Sequence, residues 1–194
     1  MSSPQPQLLT PAEYLAIERK SEIRSEYIRG RMFAMSGASR RHSLIAGNVF
    51  GEMWAQLRGK GCEAHMNDMR VKVSPTGLYT YPDIVAVCGD ARFEDSETDT
   101  LLNPSGIVEV LSPSTEAYDR GEKFANYRRI DTLQEYVLVA QDKIRIEHYR
   151  RSDGDQWILS EISDPHATLH LVSVDCHVEV AAIYEKIEFQ DAVG

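Results

Sequence analysis

The chain has 194 residues, of which 42% are hydrophobic and 26% charged, and its 30 acidic and 21 basic side chains give a formal net charge of −9. This length and composition predict one globular domain with a core large enough to fold without cross-links. The acidic balance argues against a protein that coats nucleic acid non-specifically, because such binding depends on Lys and Arg neutralising phosphates; a local basic surface remains compatible with it.

The pattern of cysteines and the length of the apolar segments indicate in which cell compartment the protein is expected. Cys62, Cys88 and Cys176 are odd in number and lack CxxC spacing, which favours reduced thiols in a cytoplasmic protein over a structural disulfide. No apolar run approaches the ~18 residues that a membrane span needs. The opening MSSPQPQ lacks the basic and apolar regions of a secretory signal. We therefore expect a cytoplasmic protein with no membrane segment.

The first predicted elements are a helix and a hairpin. Thr10–Glu13 reads as Thr at the N-cap, Pro at the first helical position and Glu closing a capping box, which predicts a helix to about Arg19. In the following SEYIRGRMFAMS, apolar residues alternate on both sides of Arg29–Gly30. This pattern predicts a β-hairpin with Glu26 in its first strand.

A long helix is predicted next. From about Arg41 to Arg58, apolar residues recur at helical spacing. Gly47 and Gly51, four residues apart, would let a neighbouring element approach closely. The segment Cys62–Val73 then reads as one strand, weakest at its centre.

Two short apolar strands each carry one acid. Asp83 precedes the first, at 84–87, and Glu109 lies inside the second, at 107–111. A carboxylate in such a run must be paired, metal-bound or protonated, because an unpaired buried charge is costly. The acidic loop 93–100 between the two strands is predicted to be a solvated surface.

The remaining pattern completes a mixed sheet. A helix is predicted from about Asp119 to Ile130, followed by a buried strand from Gln134 to Ala140. From Lys143 onward, short alternating segments separated by turns predict a β-meander. The central order of helix, three strands, helix and strand predicts a mixed α/β sheet with helices packed against it.

The two strand acids suggest a metal site. Two carboxylates near the ends of adjacent strands, with a backbone carbonyl, provide the hard oxygen ligands that Mg²⁺ or Mn²⁺ prefers. A divalent ion there could activate water and stabilise the charge that develops on phosphorus during hydrolysis. Alternatively, Asp83 is an ordinary turn acid and Glu109 pairs with a buried basic residue.

An ammonium group would assist such chemistry, and the strand does not supply one. The residue two positions after Glu109 is Leu111, not Lys. On the next helix, Asp119, Lys123 and Tyr127 are spaced by four and share one face. The aliphatic stem of Lys123 can run along apolar surface toward the sheet. An ordinary solvated lysine is the alternative.

The residues around these acids resemble a known nuclease pattern. Pro82–Asp83 followed by Glu109–Leu111 resembles the PD-(D/E)XK signature with its lysine moved to the helix. The run EVLSPSTEAYDRGEKFANYRRIDTLQEYVLV resembles the Uma-two family of restriction-endonuclease-like proteins. The resemblance covers nearly the whole chain, from Thr10–Glu13 through SEYIRGRMFAMSG and His42 to the strand at Val137.

The resemblance implies a fold. It implies an α/β protein with a restriction-endonuclease-like core of order αβββαβ, in which helices flank a mixed sheet. The chain pattern adds an N-terminal helix and hairpin and a C-terminal β-meander. We expect one domain over residues 8–190 and a flexible tail over residues 1–7.

The resemblance also implies roles for individual residues. Asp83 and Glu109 would be metal ligands together with the Val110 carbonyl, and Lys123 would be the relocated lysine. Glu26 matches a family acid that would join the metal or its water. His42 and Asp119 match family positions of less defined role. The predicted catalytic site is therefore Glu26, His42, Asp83, Glu109, Asp119 and Lys123.

The function implied is that of an endonuclease that uses Mg²⁺ or Mn²⁺ to hydrolyse phosphodiester bonds in DNA. A homodimer is expected, because duplex cleavage needs two sites and two-fold dimers are the commonest assembly. The alternative favoured by Leu111 and the charge of −9 is a non-catalytic nucleic-acid-binding or regulatory module on a decayed nuclease fold. A structural protein whose acids form salt bridges is a further alternative.

Overall fold

The computed structural model describes residues 8–189. The predicted tail 1–7 and the last residue of the predicted domain, Gln190, lie outside this range. Within it, no helix has both the length and the apolar character needed to cross a bilayer.

The elements follow the predicted succession of helices and strands. The strands of residues 8–189 are β1 (Ser25–Ile28), β2 (Arg31–Ala34), β3 (Cys62–Met66), β4 (Arg70–Val73), β5 (Leu78–Thr80), β6 (Ile84–Cys88), β7 (Thr100–Leu101), β8 (Gly106–Leu111), β9 (Glu135–Ala140), β10 (Ile146–Arg151), β11 (Trp157–Ile162), β12 (Thr168–Leu171) and β13 (Cys176–Glu179). The α-helices in that range are α1 (Pro11–Glu18), α2 (Arg40–Leu57), α3 (Glu116–Tyr118), α4 (Phe124–Tyr127) and α5 (Val180–Ile183). A π-helical turn, Asp119–Lys123, joins α3 to α4.

The N-terminal helix and hairpin form as predicted. The Thr10 hydroxyl accepts a hydrogen bond from the Glu13 N–H at 3.2 Å, and the Glu13 carboxylate accepts one from the Thr10 N–H at 2.7 Å. This capping box starts α1. Strands β1 and β2 pair antiparallel around Arg29 and Gly30, which both have positive φ, as a tight two-residue hairpin turn requires.

The strands form two main sheets. The first has the order β2-β1-β5-β4-β7, and the second has the order β11-β10-β9-β8-β6-β3. In the second sheet, β8 and β9 run parallel, whereas the other neighbours are antiparallel. The second sheet is therefore mixed, as predicted. Strands β12 and β13 form a small separate pair.

Each face of the second sheet packs on its own core. Ile45, Val49 and Met53 of α2 pack with Val108 and Val110 of β8 on one face. On the other face, the core joins the two sheets and includes β8, β4, β5 and the residues around α4. Side chains of a strand alternate between faces. Glu109 therefore lies on the face toward the first sheet, together with Ile107 and Leu111.

Two predictions about backbone elements are wrong in detail. The segment predicted as one strand, 62–73, is two strands that belong to different sheets. The break is at Asn67, whose φ of 49° is left-handed and turns the chain out of β3. The close approach predicted at Gly47 and Gly51 is absent, because both are exposed and a Cβ on either would meet no atom within 4 Å.

The cysteine prediction is also wrong. Cys62 and Cys88 are opposed on β3 and β6 and form a disulfide. Antiparallel pairing brings these two side chains together, which their distance along the chain does not reveal. Cys176 is the free thiol of residues 8–189, and it is buried.

The acidic loop is only partly solvated. Residues 95–98 are exposed, but Asp95 and Asp99 both bind Arg19, at 2.9 and 2.8 Å. Glu94 contacts Lys72 at 2.5 Å. The loop is therefore tied to α1 and to the first sheet at both ends, contrary to the predicted free surface.

Candidate functional site

The two strand acids meet where β6 begins beside β8. Ile84 pairs with Val108 in the antiparallel register, so Asp83, one residue before β6, faces Glu109. The Asp83 N–H donates to the Glu109 carboxylate at 3.4 Å. Glu109 is 3% exposed and points between the two sheets.

The helical segment supplies the ammonium group. Lys123 Nζ lies 2.8 Å from Glu109 Oε1, 3.4 Å from Glu26 Oε1 and 3.6 Å from Asp119 Oδ1. Lys123 is 5% exposed. Asp119 and Lys123 are the first and last residues of the π-helical turn. Such turns are rare in proteins, and those that occur are often found at functional sites. Lys123 of the helical segment therefore contacts Glu109, the acid of β8, whereas Asp83 pairs with His42.

Hydroxyl groups fix the carboxylates around this lysine. The Tyr127 hydroxyl donates to Glu109 Oε1 at 3.0 Å. Glu26 accepts hydrogen bonds from the Thr80 hydroxyl and, at 3.3 Å, from the Tyr118 hydroxyl. Among these donors, Tyr127 had a sequence signal, its spacing of four from Lys123. Thr80 and Tyr118 had none, and sequence reasoning missed them.

His42 holds the outer acid. Its Nε2 lies 3.2 Å from Asp83 Oδ2, and the same oxygen accepts the Val110 N–H at 2.7 Å. Burial lowers the pKa of His42, but the hydrogen bond and charge of Asp83, and a hydrogen bond to the Val110 backbone, outweigh it and raise the pKa above its usual value. His42 lies in the first turn of α2, after the Ser39 N-cap.

The site carries more negative than positive charge. Burial, together with the charge of Asp83, raises the pKa of Glu109 to about 8 even though Lys123 opposes the shift. Burial likewise raises the pKa of Asp119. Burial alone would lower the pKa of Lys123, but the surrounding carboxylates raise it well above its usual value. The site contains four carboxyl groups and two groups that can carry a positive charge. The carboxyl groups belong to Glu26, Asp83, Glu109 and Asp119, and the basic groups to Lys123 and His42.

This charge excess and the oxygen ligands fit a divalent cation. Asp83, Glu109 and the Val110 carbonyl are hard donors, which Mg²⁺ and Mn²⁺ prefer. The Val110 carbonyl lies on the same side of β8 as its N–H, the side of Asp83. Within residues 8–189, no three His, Cys, Asp or Glu side chains are grouped to hold a metal. The backbone carbonyl and water would complete the coordination.

The basic residues in and after the helical segment that carries Lys123 do not form one free surface. Lys123 is buried among acids, and Arg120 contacts Glu147 at 2.7 Å and also Glu116. Arg128 and Arg129 are exposed.

Comparisons with known proteins agree with one another. The sequence profile of a family described as "Uma2: Putative restriction endonuclease" matches residues 11–181. The chain is 35% identical over 162 residues to the uncharacterized protein sll1609 of Synechocystis sp., covering 84% of this chain and 92% of that one. It is 37% identical over 190 residues to the uncharacterized protein slr1290 of the same organism, covering 97% of each.

A solved structure shares the fold. The crystal structure of "a putative nuclease belonging to DUF820" from Anabaena variabilis superposes with a TM-score of 0.75, covering 91% of this chain and 97% of that one at 18% identity. The mixed sheet flanked by helices is therefore a restriction-endonuclease-like fold, as the sequence resemblance implied.

Proposed function

This chain belongs to the Uma2 family, and from that premise we propose that it is a divalent-metal-dependent endonuclease that hydrolyses phosphodiester bonds in DNA. The observation that carries the proposal is the contact of 2.8 Å between Lys123 Nζ and Glu109 Oε1. It brings an ammonium group from the helix to the acid on the strand. Leu111, which stands where the PD-(D/E)XK pattern has its lysine, is buried in the core and cannot serve.

Each residue has a role in this proposal. Asp83, Glu109 and the Val110 carbonyl would hold Mg²⁺ or Mn²⁺, which when bound supplies a Lewis acid and lowers the pKa of water. The Lys123 ammonium positions the attacking water and offsets the negative charge that develops on the phosphate. His42 fixes the orientation of the Asp83 carboxylate.

Two further acids support the lysine. Asp119 lies 3.6 Å from Lys123 Nζ and keeps it charged. Glu26 lies 3.4 Å from the same atom and is oriented by Thr80 and Tyr118.

A matched pair of buried glutamates tests the proposal. Glu109 on β8 is 3% exposed, and Glu135 on the neighbouring β9 is 2% exposed. Glu135 binds His148 and the Ser173 N–H instead of the site residues. Duplex DNA, as plasmid and linear fragments, and single-stranded DNA would be incubated with wild type, Glu109→Gln and Glu135→Gln, in EDTA, Mg²⁺ or Mn²⁺. Thermal melts would show that each variant is folded.

We expect metal-dependent cleavage by wild type and by Glu135→Gln. Glu109→Gln should lose roughly a hundred-fold or more, the size of effect seen when one electrostatic contact to a reacting group is removed. A wild-type protein that leaves DNA intact in both metals would contradict the proposal, as would equal activity of the two variants.

The second candidate is a non-catalytic nucleic-acid-binding or regulatory module. It is favoured by Leu111 and by Glu109, whose Oε1 is already satisfied by Lys123 and Tyr127 without a metal. A thermal melt with Mn²⁺ separates the candidates, because a cation that binds the folded state raises its melting temperature. No shift together with no cleavage would favour the module.

We also propose that the active form on duplex DNA is a homodimer, because cleavage of both strands needs two sites. Sedimentation velocity at assay concentrations would measure it. A monomer that cuts both strands of a duplex would contradict it.

A further inference from the structure

One row of side chains crosses the first sheet and enters the site. Phe33 of β2 is paired with Glu26 of β1, and the register of Tyr27 with Tyr79 places Glu26 beside Thr80 of β5. Side chains directly opposed on neighbouring strands point to the same face, with their Cβ atoms roughly 5 Å apart. Phe33 and Thr80 therefore flank Glu26 on the face where Glu26 contacts Lys123.

Phe33 is the exposed end of this row. Strand β2 is the outermost strand of its sheet. The Phe33 residue is 52% exposed, whereas the Glu26 side chain beside it is 14% exposed. Arg31 lies two residues before Phe33, so it is on the same face, and it is also exposed. An aromatic ring and a guanidinium group thus lie at the rim, next to Glu26 of the candidate site.

We propose that Phe33 is a stacking platform for an unpaired base of single-stranded DNA, next to the phosphodiester that enters the site. The inference rests on the proposed function, since it concerns the substrate of the same site. A base can stack on an exposed ring in any sequence, because every base has a π-face. Such a base must be unpaired or splayed out of a duplex, so the site takes an unpaired strand.

The charge of the molecule favours this mode of binding. Duplex binding through phosphates needs several free Lys and Arg side chains. Here the net charge is −9, and Arg120 and Lys123 are occupied by acids. Stacking of a base adds to the affinity that the phosphate contacts supply, so fewer cations are needed, and Arg31 supplies one cation on the same face. The rival occupant of the exposed β2 edge is a second copy of this chain.

Exposed aromatic residues provide a matched comparison. Phe33→Ala removes the platform, and Phe33→Trp restores a ring. Trp54 of α2 is 47% exposed, stacks on Phe50, and lies about 18 Å along the helix from His42. Trp54→Ala therefore removes a comparable exposed ring remote from the site. Both positions are exposed, so the three variants should fold, which circular dichroism would verify.

The experiment measures the fluorescence anisotropy of a labelled oligothymidylate and of a labelled duplex of equal length, in EDTA. Wild type should bind the single strand more tightly than the duplex. Phe33→Ala should weaken single-strand binding by roughly ten-fold or more. Phe33→Trp and Trp54→Ala should bind like wild type. Unchanged affinity in Phe33→Ala, or no binding by wild type, would overturn the proposal.

The readouts separate this inference from the proposed function. Binding that depends on Phe33 without cleavage in Mg²⁺ or Mn²⁺ would uphold the platform and reject the nuclease. Cleavage that is unaffected in Phe33→Ala would uphold the nuclease and reject the platform. Sedimentation velocity identifies the rival, because a dimer that dissociates in Phe33→Ala without loss of oligonucleotide binding would assign the surface to a second copy.

Discussion

At the scale of single residues, Lys123 explains how several acids can be buried together. An isolated buried charge is expensive, whereas a charge with several close partners is tolerated. Lys123 Nζ has three carboxylates within 3.6 Å, from Glu26, Glu109 and Asp119. Its loss would leave these carboxylates with no ammonium among them.

We therefore predict that Lys123→Met destabilises the metal-free protein by about 3–5 kcal/mol, the cost of breaking a buried charge pair. Adding Glu26→Gln to it should recover part of this loss, since one of the carboxylates that lost its ammonium partner is then replaced by a neutral amide. Urea unfolding in EDTA would measure both. Lys60→Met is the control, because Lys60 pairs with Asp175 at the surface, where a pair contributes about 1 kcal/mol or less. Equal stability of the two lysine variants would contradict the prediction.

The site was predictable from sequence to different degrees. Asp83 and Glu109 stand out because each interrupts an apolar strand. Glu26 and His42 could be chosen only through the family resemblance, because their local surroundings are ordinary. The structure brings all of these residues together with Asp119 and Lys123. Thr80 gave no signal, because its contact with Glu26 depends on the pairing of β1 with β5, which neither segment encodes alone.

At the scale of elements, the π-helical turn sets the geometry of the site. The predicted helix, about 119–130, is instead helical over 116–127, and its centre is the π-turn Asp119–Lys123. A spacing of four is compatible with both helix types, so the sequence pattern could not distinguish them. The widened turn brings Asp119 and Lys123 to the same side, where Lys123 meets Glu109.

Gly121 offers a test of this turn. It is exposed, and an added Cβ would meet no atom within 4 Å. Deleting Gly121 should convert the turn to α-helix and reduce the spacing of Asp119 and Lys123 to three residues, which shifts Lys123 along and around the helix axis relative to Asp119. We predict that the deletion variant folds but loses nuclease activity. Gly121→Ala should keep activity and gain up to about 1 kcal/mol in unfolding free energy.

The measurement combines the cleavage assay with urea unfolding for both variants. An active deletion variant would show that the π-turn does not set the position of Lys123. An inactive but folded Gly121→Ala would show instead that this position tolerates no side chain.

Sequence patterns predicted most elements but not how they are partitioned between sheets. The segment 62–73 alternates on both sides of a polar centre at Asn67 and Asp68, and this pattern predicts one strand that is weakest at its centre. Its division between β3 and β4 depends on Asn67, whose N–H donates to the Asp83 carbonyl at 3.1 Å. Because this partner is remote in sequence, no local pattern reveals the break. The Cys62–Cys88 disulfide was missed for the same reason.

At the scale of the whole molecule, ion pairs connect segments that are far apart in the sequence. Arg19, next to the end of α1, binds Asp99 through two hydrogen bonds of 2.8 Å across 80 residues of sequence. Asp99 also lies 3.5 Å from Arg70 of β4. This contact joins the N-terminal helix to the loop that precedes β7, which the sequence pattern predicted to be a solvated surface.

The Asp99 contact predicts how stability depends on pH. Hydrogen bonding to Arg19 lowers the pKa of Asp99 from 3.8 to about 2 in the folded protein. A carboxyl group whose pKa is lower in the folded than in the unfolded protein stabilises the fold at pH values above the unfolded pKa. This stabilisation is lost as the pH falls through the folded-state pKa. The contribution is at most about 2 kcal/mol, reduced by solvent and salt because the pair lies near the surface.

We predict that Asp99→Asn lowers the free energy of unfolding at about pH 7, and that its difference from wild type shrinks as the pH falls from about 4 toward 2. Urea unfolding across this range would measure the difference. Asp155→Asn is the matched control, because Asp155 also pairs with an arginine, Arg151, but its side chain is 93% exposed. That variant should match wild type at every pH. A constant difference for Asp99→Asn down to about pH 2 would show that its stability effect does not come from the carboxylate charge, and the tie between α1 and the acidic loop would then need another cause.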